Sequence, residues 1–457
     1  FEDGATLTDR FWRAVHYFGP VAERIAHIEL AGTPPAVGAP PAYLDQSLPA
    51  RAGPVEERLQ WVAAPNVESA DVVIVWDRAR MADPVLRRAR KVVVLDPAEL
   101  HEGDLAIELG AELNAQFRAE GEIGRARLSA AIAQESREVA HVFGTGPSLA
   151  AIEIDSLPEG VSIVCNSVIK DEALMARLRP RFITAIDPIF HAGPSLHAAA
   201  FRAQLCKMLD VHRAWFVVQA RDAHIYAALL PPHLRDLIIA IPVRYALSPN
   251  LNLARRPWLT ATRNVLTLTM LPLAAAVGRE IRIYGCDGRP TADHDDFWQY
   301  APGAAFDAER ALQREAHPGF FTLDYQDYYA LHCETTRIWI AAAERKGARV
   351  RAGTPSFIPA LAARRLPGWR VERSDPGRGE IEASATSRIF GFVDDVSIRV
   401  RSAPEGARID VRSRSRIGAP STVIATPPCA DTLPRVWSDS YPDPGTTPSR
   451  FAMRFVR

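Results

Sequence analysis

The feature that most constrains this chain is a series of short apolar, β-prone runs separated by helical or turn-rich stretches. In the first part these are Asp71-Val-Val-Ile-Val-Trp76 and Lys91-Val-Val-Val-Leu95. Further on come His141-Val-Phe-Gly144, Val161-Ser-Ile-Val-Cys165, Phe182-Ile-Thr-Ala-Ile186, Ala214-Trp-Phe-Val-Val218, Leu237-Ile-Ile-Ala-Ile241, Glu280-Ile-Arg-Ile-Tyr284 and Arg349-Val-Arg351. A strand apolar on both faces must be covered on both faces. With helices between strands, that means β-α-β units and a parallel sheet. The predicted class is α/β, with a doubly wound, mostly parallel, Rossmann-like sheet. A small α/β lobe precedes it and a small antiparallel α+β domain follows.

The intervening stretches read as follows. Thr8 to Glu29 and Met81 to Arg90 carry helical periodicity, and Thr33 to Pro54 is rich in Pro, Ala and Gly, as a loop is. Glu102 to Glu138 is helix-prone, Thr262 to Val277 reads as a buried helix, and Tyr325 to Lys346 is the last long helix. From about Leu366 the period becomes two, in Trp369-Arg-Val-Glu372, Glu380 to Ala385, Val396 to Arg401 and Ala407 to Ser413, which means half-buried strands. Past Gly418 the chain is Pro-, Ser- and Thr-rich without period and is expected to be disordered. The expected divisions are an N-terminal lobe with a linker helix (1–138), a ligand-binding domain (139–365), a small β-rich domain (366–418) and a tail (419–457).

Lys plus Arg equals Asp plus Glu, 54 against 54, so the overall charge gives no reason to expect nucleic acid or an anionic membrane as partner. Cys165, Cys206, Cys286, Cys333 and Cys429 form no C-x-x-C pair and are odd in number. A zinc site or disulfide framework is not expected, and a reducing, cytoplasmic setting fits. No run of about 18 apolar residues predicts a spanning helix. Because the sequence opens on Phe1, the lack of a signal peptide carries no weight.

The chemistry centres on Gly144-Thr-Gly-Pro-Ser-Leu149, which follows a predicted strand. Glycines at 144 and 146 permit a tight turn and close approach of a phosphate to backbone amides. Pro147 suits a first helical position, and Ser148 places a hydroxyl beside a helix N-terminus that favours anions. The alternative is a turn that only joins strand to helix. Three polar residues stand at other predicted strand ends: Asn166, Asp187 and Asp287. In an open parallel sheet, ligands bind at those ends. Singly, each is equally a turn or cap residue. Asp293-His-Asp-Asp296 has metal-ligand chemistry but reads as a solvated loop, and Phe297, Trp298 and Tyr300 beside it suit a lid.

Gly144 to Leu149, Cys165-Asn166, Tyr284-Gly-Cys-Asp287, His332 and Gly353-Thr-Pro-Ser356 together resemble the bacterial CMP-sialic acid sialyltransferases. They are similar also to a broader group holding the flagellin-glycosylating motility accessory factors and the archaeal 6-hydroxymethylpterin diphosphokinases. The resemblance spans about residues 140 to 360. It implies a glycosyltransferase whose donor substrate is a CMP- or other nucleotide-activated sugar, whose acceptor is a glycan or glycoconjugate, and which requires no metal or cofactor. Thr145, Gly146, Ser148 and Asn166 would contact CMP, with Gly144, Pro147, Asp187, Asp287 and Ser356 completing the nucleotide site. Where the family usually has Asn between the glycines, this chain has Thr145. His332 would be the general base, with His317 as competitor, and Tyr300 would steady the departing phosphate. A surface acceptor leaves peripheral membrane association open.

Two other functions compete. A pterin diphosphokinase would use magnesium held in part by Asp187 and Asp287. A non-catalytic nucleotide-binding or scaffold protein would use its C-terminal domain as an interaction module. Residues 368 to 417 resemble an uncharacterised bacterial domain family; Asp394-Asp395 with the nearby arginines reads either as a strand-end turn and solvated face or as a binding edge.

Overall fold

The computed structural model describes residues 4–31, 37–113, 117–289, 300–301, 303–366, 369–375, 380–389, 392–403, 406–416 and 451–456. In chain order the strands are β1 (Ile25–Ala31), β2 (Leu59–Val62), β3 (Val72–Val75), β4 (Val92–Val94), β5 (Arg137–Phe143), β6 (Val161–Cys165), β7 (Phe182–Thr184), β8 (Trp215–Gln219), β9 (Ile238–Ile241), β10 (Val243–Arg244), β11 (Leu259–Thr260), β12 (Gly278–Tyr284), β13 (Arg349–Ala352), β14 (Trp369–Asp375), β15 (Glu380–Ile389), β16 (Phe392–Ala403), β17 (Gly406–Arg416) and β18 (Phe451–Val456). They divide between two compact units, residues 1–365 with 448–457, and residues 366–447.

The first unit is built on a seven-stranded sheet of order β13-β12-β5-β6-β7-β8-β9, parallel throughout. Alternate residues of its strands enter two cores. Phe143, Val164, Ile183, Phe216 and Val218 face one, which Phe201 and Leu205 of the helix Leu196–His212 help to fill. Val142, Ile163, Phe182, Val217 and Ile239 face the other, with Leu271 and Leu273 of the helix Leu271–Val277 and Trp339 and Ile340 of the helix Tyr325–Arg345. Burial on both faces is why these strands lack polar alternation.

The chain order fixes where a crevice lies. From β5 the chain steps outward through β6, β7, β8 and β9, then returns to lay β12 on the other side of β5. Phe143 pairs with Val164 on one side and with Tyr284 on the other. The reversal therefore falls between β5 and β12, and the loops leaving those two strands must part in opposite directions.

A second parallel sheet, of order β2-β1-β18-β3-β4, lies in the same unit. Its middle strand is β18, although 419–457 reads as disordered from composition. The backbone of Phe451–Val456 instead pairs with β1 and β3. The strand was hidden because it is short and follows a long Pro/Ser/Thr-rich stretch. Thr8 to Glu29 also differs from a single helix. The helix Gly4–Phe18 gives way to a 3-10 turn at Gly19–Arg24 and then to β1. Pro20 supplies the break, since proline has no N–H to continue the ladder. Met81 to Arg90 forms 3-10 turns, Arg78–Ala82 and Pro84–Arg88, because Asp77 and Asp83 each cap a new start with the side chain.

In the second unit the backbone of β14 to β17 forms an antiparallel sheet in sequence order. Asp394 and Asp395 lie within β16, in register with Ser415 and Arg414 of β17, and not at a strand end. Among the described residues, no helix is long and apolar enough to cross a membrane.

Candidate functional site at the sheet reversal

The glycine turn leaves β5 and closes against the loop leaving β12. The Gly144 amide donates to the Tyr284 carbonyl at 2.8 Å, and the Gly146 amide donates to the Gly285 carbonyl at 2.7 Å. A Cβ on Gly144 would lie 2.6 Å from the Gly285 oxygen, and one on Gly146 would lie 2.6 Å from Cγ of Asp287. The glycines thus serve a different end from the one expected. They let two loops pack backbone to backbone, and their amides are spent on protein carbonyls.

Ser148 goes further. Its amide donates to Oδ2 of Asp287 at 2.8 Å, and its hydroxyl donates to Oδ1. A carboxylate of the chain itself occupies the place expected for a ligand's anion. Burial raises the Asp287 pKa, and the two Ser148 bonds pull against that. Pro147 opens a 3-10 turn that ends at Ala151, so the α-helical N-terminus expected there, with its dipole, is replaced by a single tight turn.

What stays open lies one residue earlier and one strand over. Among the described residues, the Thr145 amide and hydroxyl have no hydrogen-bond partner, while its carbonyl accepts from Ala301 N at 2.8 Å. Asn166, at the end of β6, holds φ at 47°, a left-handed conformation rare outside glycine. Its Oδ1 is buried with no partner, as is Oγ of Ser167. Such combined strain and dissatisfaction gathers at ligand sites. Lys170 closes this corner: its amine donates to the Ala305 carbonyl and lies 5.0 Å from the Phe306 ring centroid. Ala301 therefore contacts the turn after β5, and Ala305 and Phe306 contact Lys170 beyond the end of β6. Tyr300 is half-buried, with the Arg310 guanidinium 5.5 Å from its ring centroid.

The Gly353-Thr-Pro-Ser356 run supports β12 from behind. Thr354 Oγ1 accepts from the Gly285 amide at 2.9 Å, and Ser356 Oγ donates to the Cys286 carbonyl at 2.7 Å. A Cβ on Gly353 would fall 1.9 Å from the Tyr284 ring. The Ser356 hydroxyl is thus used to hold backbone.

Asp187 lies three residues past β7 and accepts from the Ile189 amide at 3.2 Å. Burial and the nearby Asp104 carboxylate push its pKa up to about 7, against the pull of Arg221. Tyr328 of the last long helix feels that carboxylate, and its own pKa rises to about 12, chiefly by burial. Among the described residues, no three His, Cys, Asp or Glu side chains converge as metal ligands. Asp293, His294, Asp295, Asp296, Phe297 and Trp298 lie outside the described residues.

The two histidines separate clearly. His332 is half-buried on the helix Tyr325–Arg345, 3.5 Å from Oγ1 of Thr336. Burial lowers its pKa to about 4, so it is neutral at pH 7. One turn earlier, Tyr329 accepts from the Arg289 amide at 3.2 Å and stands where a Gly288 Cβ would be. That ties the His332 helix to the loop leaving β12. His317 is instead enclosed: its Nδ1 lies 3.1 Å from Glu102, whose other oxygen is 3.6 Å from Arg13, and Arg13 also pairs with Asp9. Burial lowers the His317 pKa, and Glu102 opposes the shift. Nothing in this contact set reaches the glycine turn. The Asp9 and Arg13 pair, four apart on one helix, was a readable signal for this network. Lys170 carried no local signal, and Thr354 was visible only as part of the Gly353-Thr-Pro-Ser356 run.

A family model described as a protein of unknown function (DUF1499) matches residues 360–423, which takes in β14 to β17. That stretch does not include the sheet reversal, so the match assigns nothing to this site. No curated protein and no solved structure matches the chain.

Proposed function

We propose that the crevice at the β5–β12 reversal binds a nucleotide-activated sugar, of the CMP type, and that the chain is a glycosyltransferase. The observation that carries this reading is Asn166, strained into a left-handed conformation with a buried, unpartnered Oδ1, beside the reversal point of the sheet. Arg179 and Arg213 hold the same backbone region as helix C-caps; what sets Asn166 apart is that it caps no helix and buries a polar oxygen that has no partner among the described residues. In this reading Asn166 and Thr145 receive the nucleotide, and the Tyr300 hydroxyl donates to the departing phosphate. Asp287 fixes the turn through Ser148 and is a positioning residue.

The chemistry needs few parts. The acceptor hydroxyl oxygen attacks the anomeric carbon and forms the new glycosidic bond. The bond from that carbon to the phosphate oxygen breaks, and its electron pair leaves with the nucleotide monophosphate. The acceptor proton passes to His332, which is neutral at pH 7 and so able to take it. Its low pKa makes it a weak base in the empty site, and a phosphate brought near strengthens it.

The test is CMP release from CMP-sugars in the presence of glycan acceptors, with and without EDTA. Acceptor-dependent release unaffected by EDTA, and reduced about a hundredfold or more by His332→Ala, supports the reading. Turnover of ATP alone, dependent on magnesium and a pterin, would replace it with the diphosphokinase reading.

A further inference from the structure

Between Asp236 and Glu280 the sequence has no acidic residue, yet it carries Arg244, Arg255, Arg256, Arg263 and Arg279. In a chain with equal numbers of acidic and basic residues, that is a strong local imbalance. The structure concentrates it at the end of β10 and in the loop from there to β11. Arg244, Arg255 and Arg256 are exposed there, as is Lys346 at the end of the helix Tyr325–Arg345. Among the described residues, none of the four forms an ion pair with a carboxylate, and Arg244 instead lies over the Trp258 ring, 5.8 Å from its centroid. Arg255, Arg256, Lys346, Trp258, Asn252 and Ser248 line a cavity of about 310 Å3.

The same loop carries an apolar tip. Tyr245 is 97% exposed and Leu247 is fully exposed. Single exposed apolar side chains are ordinary, but these two stand together at a loop end ringed by unpaired cations. The loop is also held in shape. The buried Asn250 side chain donates to the Arg256 and Trp258 carbonyls at 2.7 and 2.6 Å, and its backbone amide donates to Oγ1 of Thr260 at 2.8 Å. An ordered loop with apolar side chains at its tip and a cationic collar has the build of a membrane-surface anchor. The tip enters the headgroup layer, and the collar neutralises acidic headgroups.

We propose that this loop, residues 244–258, docks the protein on a bilayer carrying acidic phospholipids. The cavity beneath Trp258 is the seat for one headgroup phosphate. Zero net charge for the whole chain does not oppose this, since surface attraction acts within about a Debye length.

The test is co-sedimentation of the full chain with vesicles of phosphatidylcholine, with and without roughly a third of phosphatidylglycerol. Binding is expected only with the acidic lipid, and it should weaken at high salt. Arg255→Ala with Arg256→Ala should weaken it by roughly tenfold or more. Tyr245→Ser with Leu247→Ser should weaken it to a similar degree by removing the apolar tip. All four side chains are exposed, and unchanged thermal unfolding of each double variant shows that the fold is intact. Protein left in the supernatant with both vesicle types would overturn the proposal. So would binding that survives both double variants. Binding that inorganic phosphate abolishes but the Tyr245 and Leu247 changes leave intact would show a free-anion site in its place.

Discussion

The Ser148 amide donates to one oxygen of the Asp287 carboxylate at 2.8 Å, and the Ser148 hydroxyl donates to the other. This pair joins the loop leaving β5 to the loop leaving β12, across the point where the sheet reverses. Removing the carboxylate with Asp287→Ala strands both donors. The expected loss is about 1–3 kcal/mol of unfolding free energy, read by urea denaturation with unchanged slope. An unchanged midpoint would show that the pair does not hold the two loops together.

Asn166 separates strain from structure. Glycine adopts φ of 47° freely, so Asn166→Gly should keep stability within about 1 kcal/mol of the parent. Asn166→Val, β-branched, should lose about 1–2 kcal/mol. A larger loss in the glycine variant would make the side chain a structural cap and remove the argument for a ligand.

The histidines predict opposite phenotypes. His317→Ala leaves the buried Glu102 carboxylate without one of its two partners, Arg13 being the other, and should cost about 1–3 kcal/mol in stability while ligand affinity of the folded chain stays the same. His332→Ala should leave stability nearly unchanged and remove transfer. Reversal of the two results would exchange their roles.

Asp222 gives a pH signature. It is buried beside Arg221 at 3.1 Å, and burial, aided by Asp104 and Glu108, pushes its pKa from 3.8 up to about 7 against the pull of Arg221. Below pH 3.8 the folded and unfolded chains both hold the proton. As pH rises toward 7 the unfolded carboxyl ionises first, so this group's contribution to stability falls, by up to about 1.4 kcal/mol per pH unit. Above about 7 its slope vanishes. In Asp222→Asn that part of the slope should be missing from denaturation curves taken between pH 4 and 7. Parallel curves for parent and variant would contradict the assignment.

The parts of the fold that could be read in the sequence were those whose signal is local. β3 and β9 are wholly apolar runs, and β6 and β8 nearly so, which is the pattern that double-sided burial leaves. β2 was missed because Leu59-Gln-Trp-Val62 is short and mixed. β18 was missed because its partners lie more than 370 residues away in sequence. The site shows the same division. The turn at Gly144 was visible, but its use was not. That use depends on β12 pairing with β5, which brings Asp287 to Ser148 across 139 residues. The sequence favoured His332 over His317 as the base only through the resemblance, and the enclosure of His317 by Glu102 parts the two on physical grounds.

The most direct test of the central claim is isothermal titration of CMP into the full chain and into Asn166→Gly, without magnesium. The account predicts one site per chain in the parent, weakened about tenfold, or roughly 1.4 kcal/mol, by loss of the Asn166 amide. No heat and no thermal stabilisation with CMP, or equal affinity in the two proteins, would contradict a nucleotide site at the β5–β12 reversal.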